Sequence, residues 1–91
     1  MTVQMRRYRL KEGTREAFQK VFLEVIVPLR QATGFQVLGA YWIGEREFLW
    51  FVGHENFQEA EKAYYQHPER KKVDPSQFLE EIETRFVERL I

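Results

Sequence analysis

The chain has 91 residues, no cysteine, and 14 basic side chains that balance 14 acidic ones. This length allows one domain, and the lack of cysteine excludes disulfides, thiolate metal sites and cysteine nucleophiles. Because the formal net charge is zero, we expect neither a nucleic-acid partner nor attraction to an anionic membrane. No apolar stretch approaches the ~20 residues of a membrane span, and no secretory signal follows Met1, so we expect a cytoplasmic protein without a membrane partner.

The first predicted element is a β-strand at Thr2–Leu10, because apolar Val3 and Met5 alternate with polar residues. The opposite face of this strand would carry Gln4, Arg6 and Tyr8. An arginine beside apolar walls can hold a carboxylate or phenolate through a charge-assisted hydrogen bond. The alternative is that Arg6 pairs with Glu83 or Glu88 near the end of the chain.

An amphipathic helix is predicted next, with Thr14 as its N-cap. Its apolar stripe consists of Phe18, Val21, Phe22, Val25 and Leu29. Pro28 lacks the N–H that would bond to the carbonyl four residues earlier, so we expect the helix to kink or stop near Val27. Gly34 is expected to end the element.

Phe35–Ile43 and Glu47–Gly53 predict a β-hairpin across Gly44-Glu45-Arg46. The loop could hold two or three residues, and the choice would exchange the faces of the second strand, so the register stays open. Residues 37–43 and 48–53 contain no charge, which makes both faces of the hairpin apolar. Since two helices cover only one face of a four-stranded sheet, we predict a homodimer that covers the other; the alternative is that long side chains fold over it.

The second half of the chain predicts another helix and an ambiguous tail. Asn56-Phe57-Gln58-Glu59 has the form of a capping box, and the helix behind it would end near His67-Pro68. Asp74-Pro75-Ser76-Gln77 predicts a further helical start. In the tail, apolar residues recur every four positions, at Phe78, Ile82, Phe86 and Leu90, which favours a helix slightly. Alternation in residues 84–91 also permits a strand.

Several segments together resemble NIPSNAP-like domains. They are Val3-x-Met5-Arg6-x-Tyr8-x-Leu10-Lys11-x-Gly13, Ile26-Val27-Pro28-Leu29-Arg30 followed by Gly34-Phe35, Phe48-Leu49-Trp50-Phe51, and Tyr64-Tyr65-Gln66-His67-Pro68-Glu69. The resemblance implies an α+β fold over residues 1–91, ferredoxin-like with β-α-β-β-α-β order, a four-stranded antiparallel sheet and a dimeric α/β barrel. It also makes Glu83–Leu90 the fourth strand and Pro28 a family feature.

The segment Tyr64-x-x-His67-Pro68-x-Arg70 resembles the Tyr-x-x-His-Pro-x-His pattern of stress-responsive barrel proteins, some of which use the tyrosine and the second histidine for proton transfer. Arg70 stands at the second histidine here. A guanidinium stays charged at ordinary pH and cannot act as a base, so we do not carry the cyclase chemistry over.

The candidate ligand-binding residues are Arg6, Tyr8, Trp50, His54, Tyr64 and His67. Each has a plainer interpretation: His54 could hydrogen-bond its turn, His67 could finish a helix, and the aromatic sheet face could be core or interface. Two histidines thirteen positions apart do not indicate a metal site. The helix at Phe57–Gln66 has no histidine to ligate haem as in haem-degrading relatives, and we predict neither a metal nor a cofactor.

We therefore expect a small homodimeric protein that binds a small hydrophobic or aromatic molecule between sheet and helices. A cofactor-independent monooxygenase or isomerase is the most concrete catalytic version, and whether the protein is an enzyme stays open. The alternative is a non-catalytic dimeric interaction module. A cavity of roughly 300 Å³ or more with convergent polar groups favours binding, whereas a filled interior favours the module.

Overall fold

The computed structural model describes all 91 residues as a single sheet covered on one face by helices. The strands are β1 (Thr2–Leu10), β2 (Gln36–Ile43), β3 (Glu47–His54) and β4 (Leu79–Val87). The helices are α1 (Arg15–Val21), α2 (Val27–Ala32), α3 (Phe57–Gln66) and the short α4 (Pro68–Lys71). All strand pairs are antiparallel, in the order β2-β3-β1-β4. The predicted ferredoxin-like α+β arrangement is confirmed.

The polar face of β1 is turned toward the helices. Gln4, Arg6 and Tyr8 are buried on that face together with Leu10, whereas Arg7 and Arg9 are exposed on the other. The predicted grouping of these three side chains is therefore correct. The inner strand β1 thus places polar side chains inside the core, where apolar ones are the norm.

The first helix passes Pro28 instead of stopping there. A π-helical turn at Phe22–Ile26 joins α1 to α2, and the helix continues to Ala32. The wider turn changes the hydrogen-bond pattern next to the proline, which cannot donate an N–H. Gly34 then ends the helix as predicted, with φ of 89° and its N–H on the Gln31 carbonyl at 3.0 Å.

The hairpin loop contains three residues, since Ile43 pairs with Glu47. This register directs Phe48, Trp50 and Val52 into the core. Phe51 lies on the outer face of the sheet. The three-residue loop therefore sets the hairpin register, which the sequence had left open.

Two predicted N-cap positions are correct, but their side chains make no capping bond. Thr14 and Asn56 directly precede α1 and α3, yet the Thr14 hydroxyl donates to the Lys11 carbonyl at 2.7 Å and not to the helix. The Asn56 side chain makes no capping bond either; its backbone N–H donates to His54 Nδ1 at 2.7 Å. The third predicted cap is present, because the Asp74 carboxylate accepts from the Ser76 N–H at 3.2 Å, at the start of a 3₁₀ turn (Pro75–Phe78).

The tail forms a strand, as the resemblance implied and periodicity alone did not. β4 begins four residues before the implied Glu83 and ends at Val87, so Leu90 and Ile91 lie beyond it, almost fully exposed. β4 is the edge strand beside β1, where Phe86 pairs with Gln4 and Thr84 with Arg6.

The core is one cluster of 13 buried residues between the sheet and the helices. Its centre is aromatic: the Phe22 ring lies 4.8 Å from Phe48 and 5.0 Å from Trp50, both edge to face. The molecule measures 35 × 34 × 18 Å, so it is two layers thick and the outer face of the sheet is uncovered. None of the helices combines the length and the apolar character that crossing a membrane requires.

Candidate functional site

A polar network occupies the inner side of β1. Arg6 Nε donates to the Tyr8 hydroxyl at 2.7 Å, and Nη1 donates to Gln4 Oε1 at 2.8 Å. Nη2 lies 3.5 Å from the hydroxyl of Tyr65 on α3. Arg6 is only 8% exposed. Its partners are neutral residues, and the alternative pairing with Glu83 or Glu88 does not form.

A second arginine is buried more deeply. Arg30 on α2 is 1% exposed, and its guanidinium carbon lies 3.9 Å from the Tyr64 ring centroid and 4.7 Å from that of Phe35. Its nearest counter-charge is Glu61, with 3.9 Å between Nη1 and Oε2. Rings thus shelter the cation through cation–π contacts, while its hydrogen-bonding capacity is largely unused.

Unpaired polar atoms are concentrated around this arginine. The buried side-chain atoms without a hydrogen-bond partner are Arg30 Nε and Nη1, Trp50 Nε1, Glu61 Oε2 and Arg70 Nε. The guanidinium carbon of Arg70 lies 5.1 Å from the Tyr65 centroid, and that of Arg30 lies 5.7 Å from it. Arg6 and Arg30 therefore have one nearby carboxylate, that of Glu61, and Arg70 adds a third cation beside the rings of Tyr64 and Tyr65. Such an excess of positive charge is costly where water is scarce.

The shifts in pKa follow this arrangement. Burial is the main cause that lowers the pKa of Arg30, and the charge of Arg6 acts in the same direction. Burial also lowers the pKa of Arg6, but the phenol oxygens of Tyr8 and Tyr65 outweigh it, so the net shift is upward. Burial raises the pKa of Tyr64 against the opposing effect of Arg30 and Arg70. A neutral Tyr64 hydroxyl is thus available as a donor near two cations.

A groove of about 460 Å³ runs beside this cluster, between α3 and the edge strand β4. It is lined by Phe57, Gln58, Glu61, Lys62, Tyr65, Gln66 and Phe86. Phe86 is 58% exposed although it lies on the helix side of the sheet, because the helices leave β4 partly uncovered. Glu61 and Tyr65 belong both to the groove wall and to the arginine cluster, so these two side chains separate the groove from the guanidinium groups.

The structure brings four of the six predicted site residues together. The Arg6 guanidinium carbon lies 5.7 Å from the Trp50 ring and 5.6 Å from that of Tyr8, and Tyr64 adjoins the group through Arg30. The two histidines have local roles: His54 Nδ1 accepts from the Asn56 N–H, and His67 Nδ1 accepts from the Glu69 N–H at 3.1 Å, where it caps α4. These contacts match the plainer interpretations, in which His54 hydrogen-bonds its turn and His67 lies at the end of a helix.

The aromatic rings of the hairpin do not line one cavity, because they lie on different sides of the sheet. Trp50 and Phe48 pack in the core, and Phe51 and Tyr41 lie on the outer face. Trp42 is half-buried against α1, where its Nε1 donates to Gln19 at 2.8 Å. The open volume between sheet and helices lies instead at the β4 edge.

Sequence reasoning missed three residues of the cluster: Arg30, Glu61 and Tyr65. A signal for Arg30 was present, since it continues the four-residue spacing of Phe18, Phe22 and Ile26 and so falls on the buried side of the helix. A charged residue on an apolar stripe is the pattern to look for. No group of three or more His, Asp or Glu side chains is arranged to hold a metal ion.

Comparison with known proteins agrees with this architecture. A NIPSNAP domain protein from Burkholderia xenovorans has a TM-score of 0.85 and 16% identity, covering 99% of this chain and 95% of its own. A NIPSNAP family protein from Agrobacterium tumefaciens has a TM-score of 0.84 and 18% identity, with 98% and 92% covered. The chain has the fold of these NIPSNAP structures. The expected resemblance is thereby confirmed at the level of fold.

The NIPSNAP-like fold extends to other proteins at lower identity. The crystal structure of an antibiotic biosynthesis monooxygenase matches with a TM-score of 0.72 and 10% identity over 100% of both chains. No family model matches the sequence, and no curated protein is significantly similar to it. The likeness is therefore one of fold, and the chemistry has to be argued from the residues of this chain.

Proposed function

We propose that this protein binds a small hydrophobic or aromatic molecule in the groove between α3 and β4, as a homodimer in the cytoplasm. The observation that carries the proposal is the meeting of apolar groove walls with a buried cluster of arginines and tyrosines. Ligand sites typically combine apolar walls with a few convergent polar groups and enclose about 300–1,000 Å³. The groove, at about 460 Å³, lies in that range.

The walls of the groove suit a flat apolar molecule. Phe57 and Phe86 meet edge to face with 5.3 Å between their centroids, and Tyr65 stands further along the same helix. Exposing the apolar surface of Phe86 to water is unfavourable. A ligand that covered Phe86 would therefore gain binding free energy from the apolar surface that it buries.

The homodimer is proposed from the outer face of the sheet. Large apolar side chains there are uncovered, including Tyr41, Ile43, Leu38 and Val87, and Phe51 is half-buried among them. The β1 and β4 side of the same face carries both signs of charge, with Arg7 bonded to Glu47 and Arg85 next to Glu83. A second copy offers the matching apolar patch and opposite charges, and a stable pair buries about 1,200–2,000 Å² in total.

Sedimentation equilibrium at micromolar concentration tests the dimer. Phe51→Glu places a charge in the middle of the outer face and is expected to give a monomer. Leu23→Glu, which changes an exposed leucine on the helix side, is the matched control and should leave the mass of a dimer. A wild-type protein that sediments as a stable monomer would overturn this part of the proposal.

Binding is tested by calorimetric titration with 2-naphthamide, a neutral flat aromatic. We expect Phe86→Ser to weaken binding about tenfold or more by removing a groove wall, and Leu23→Ser to have no effect. If neither naphthamide nor a panel of phenols, quinones and fatty acids binds the wild type, the binding proposal is wrong. The filled interior around Trp50 would then favour a non-catalytic interaction module.

The proposal stops at binding. The monooxygenase match shares 10% identity, and the two histidines that would serve first in proton transfer are engaged as local acceptors. A cofactor-independent monooxygenase or isomerase would have to use Glu61 or the tyrosines of the cluster instead.

A further inference from the structure

The arginine cluster lacks an anion. Arg30 is almost completely buried, yet its Nε and Nη1 donate to nothing, and the Trp50 N–H beside it is also unpaired. The whole chain has no net charge, whereas this one site gathers Arg6, Arg30 and Arg70 around Tyr65, and Glu61 is the acidic partner of Arg30. Buried cations in proteins are normally paired with an anion or fully hydrogen-bonded. The unused donors therefore indicate a missing partner.

We infer that the ligand of the groove is an aromatic carboxylate, whose acid group passes the groove wall and binds Arg30 and Arg6 while Glu61 swings out. This inference rests on the proposed binding function and deepens it. Two facts define the acid's position. Arg30 Nη1 lies 3.9 Å from Glu61 Oε2, and Arg6 Nη2 lies 3.5 Å from the Tyr65 hydroxyl. The acid group would take the place that Glu61 Oε2 now holds and approach Arg6 Nη2 beside the Tyr65 hydroxyl.

Glu61 is a weak internal substitute for that acid. Its side chain is 28% exposed and lines the groove, but its buried Oε2 makes no hydrogen bond and stays 3.9 Å from Arg30. A carboxylate that enters with free choice of orientation can accept two N–H groups of one guanidinium, which a side chain tethered to α3 does not do here. Rotation of Glu61 toward the solvent side of the groove would then return its charge to water.

The surroundings favour an acid attached to a ring. The guanidinium of Arg30 is bordered by Phe35, Trp50, Tyr64 and Tyr65, so the space next to it is flat and apolar. A tetrahedral, doubly charged phosphate needs more hydrogen-bond partners than this aromatic setting supplies. An aryl carboxylate carries one charge on a planar group and can lay its ring against the exposed side of Phe86 in the groove.

The test compares 2-naphthoate with 2-naphthamide, which has nearly the same shape and no charge. Calorimetric titrations use the wild type, Arg30→Met, Glu61→Gln and Lys62→Gln at low ionic strength. We expect the wild type to bind naphthoate at least tenfold more tightly than naphthamide. Arg30→Met should abolish that preference by weakening naphthoate binding to the level of naphthamide binding. Glu61→Gln should strengthen naphthoate binding severalfold, because the competing carboxylate is gone.

Lys62→Gln is the matched control, since Lys62 lines the groove and is the simplest other source of attraction for an acid. If Lys62→Gln removes the preference for naphthoate and Arg30→Met keeps it, the buried arginines are not the anion site. Equal binding of the two probes to the wild type also overturns the inference, but leaves the proposed function standing. If inorganic phosphate displaces naphthoate at micromolar concentration, the preference for a carboxylate is wrong. If neither probe binds, this inference is wrong, and the panel of phenols, quinones and fatty acids decides whether the proposed function stands.

Discussion

Replacing Arg30 with methionine is expected to make the protein more stable. The unbranched methionine side chain can follow the path of the arginine stem and bring no charge and no N–H groups into the core. The change removes two buried donors that have no partner, Arg30 Nε and Nη1. It also removes the repulsion between Arg30 and Arg6, which helps to lower the pKa of Arg30.

The size of the effect follows from opposing contributions. Two unpaired buried donors cost about 2–6 kcal/mol together, at about 1–3 kcal/mol each. Against this, the cation–π contact with Tyr64 at 3.9 Å contributes about 2 kcal/mol, and the long 3.9 Å pair with the partly exposed Glu61 contributes about 1 kcal/mol at most. The net effect spans about −1 to +3 kcal/mol and is centred on a gain of about 1 kcal/mol for methionine. For a domain of this size, a gain of about 1 kcal/mol corresponds to a rise of about 4–8 °C in Tm.

Urea unfolding of both proteins at one protein concentration measures this difference, since a dimer would make stability depend on concentration. Lys20→Met, at an exposed position on α1, is the control and should change the free energy of unfolding by less than about 0.5 kcal/mol. A loss of stability of about 2 kcal/mol or more in Arg30→Met would refute the reasoning. Arg30 would then be a well-compensated core residue, and the case for a missing anion would lose its main support.

Three further changes test the fold and its titration. In urea unfolding, Gly34→Ala should lower the free energy of unfolding by about 1 kcal/mol more than Gly13→Ala. Both glycines have positive φ, so both changes strain the backbone. A Cβ at Gly34 would also come within 2.8 Å of His54 Nε2, whereas a Cβ at Gly13 has no atom within 4 Å. Phe18→Ala, in the fully buried centre of the core, should lose about 3–5 kcal/mol by the same assay, and a loss below about 1 kcal/mol would contradict the packing. Burial raises the pKa of Tyr64 above the ordinary 10.0, so the tyrosine loses its proton at lower pH in the unfolded chain than in the folded one. The free energy of unfolding should therefore fall as pH rises beyond about 10. Tyr64→Phe should flatten that decline.

The fold was largely predictable because its strands and helices have clear periods, and the places where prediction failed have physical reasons. The tail is one of them. Side chains four residues apart, such as Ile82 and Phe86, share a face in a helix and also in a strand, since four is close to the helical period and an even number. Spacing alone therefore could not separate the two, and the resemblance to NIPSNAP-like domains decided correctly for a strand. The hairpin register depended on one loop residue that composition does not specify.

The site was harder to predict than the fold because a search for apolar stripes sets charged residues aside. Arg6 and Tyr8 were recognised since they share a strand face, and that face proved to be the buried one. Arg30 was missed although its spacing from Ile26 places it on the same inner surface. Contacts across more than twenty positions, such as that between Arg30 and Glu61, depend on how α2 and α3 pack and have no local pattern.

A two-layer domain of this size has little core to spare, which makes its choice of residues informative. Hydrophobic burial is the main source of stability, and small domains bury the smallest share of their surface. Yet β1 gives three inward positions to Gln4, Arg6 and Tyr8, and α2 gives another to Arg30. Apolar residues at these positions would satisfy the fold more cheaply. Arg30 in particular keeps unpaired donors one side chain behind an open aromatic groove, and the charge of the proposed ligand would complete it.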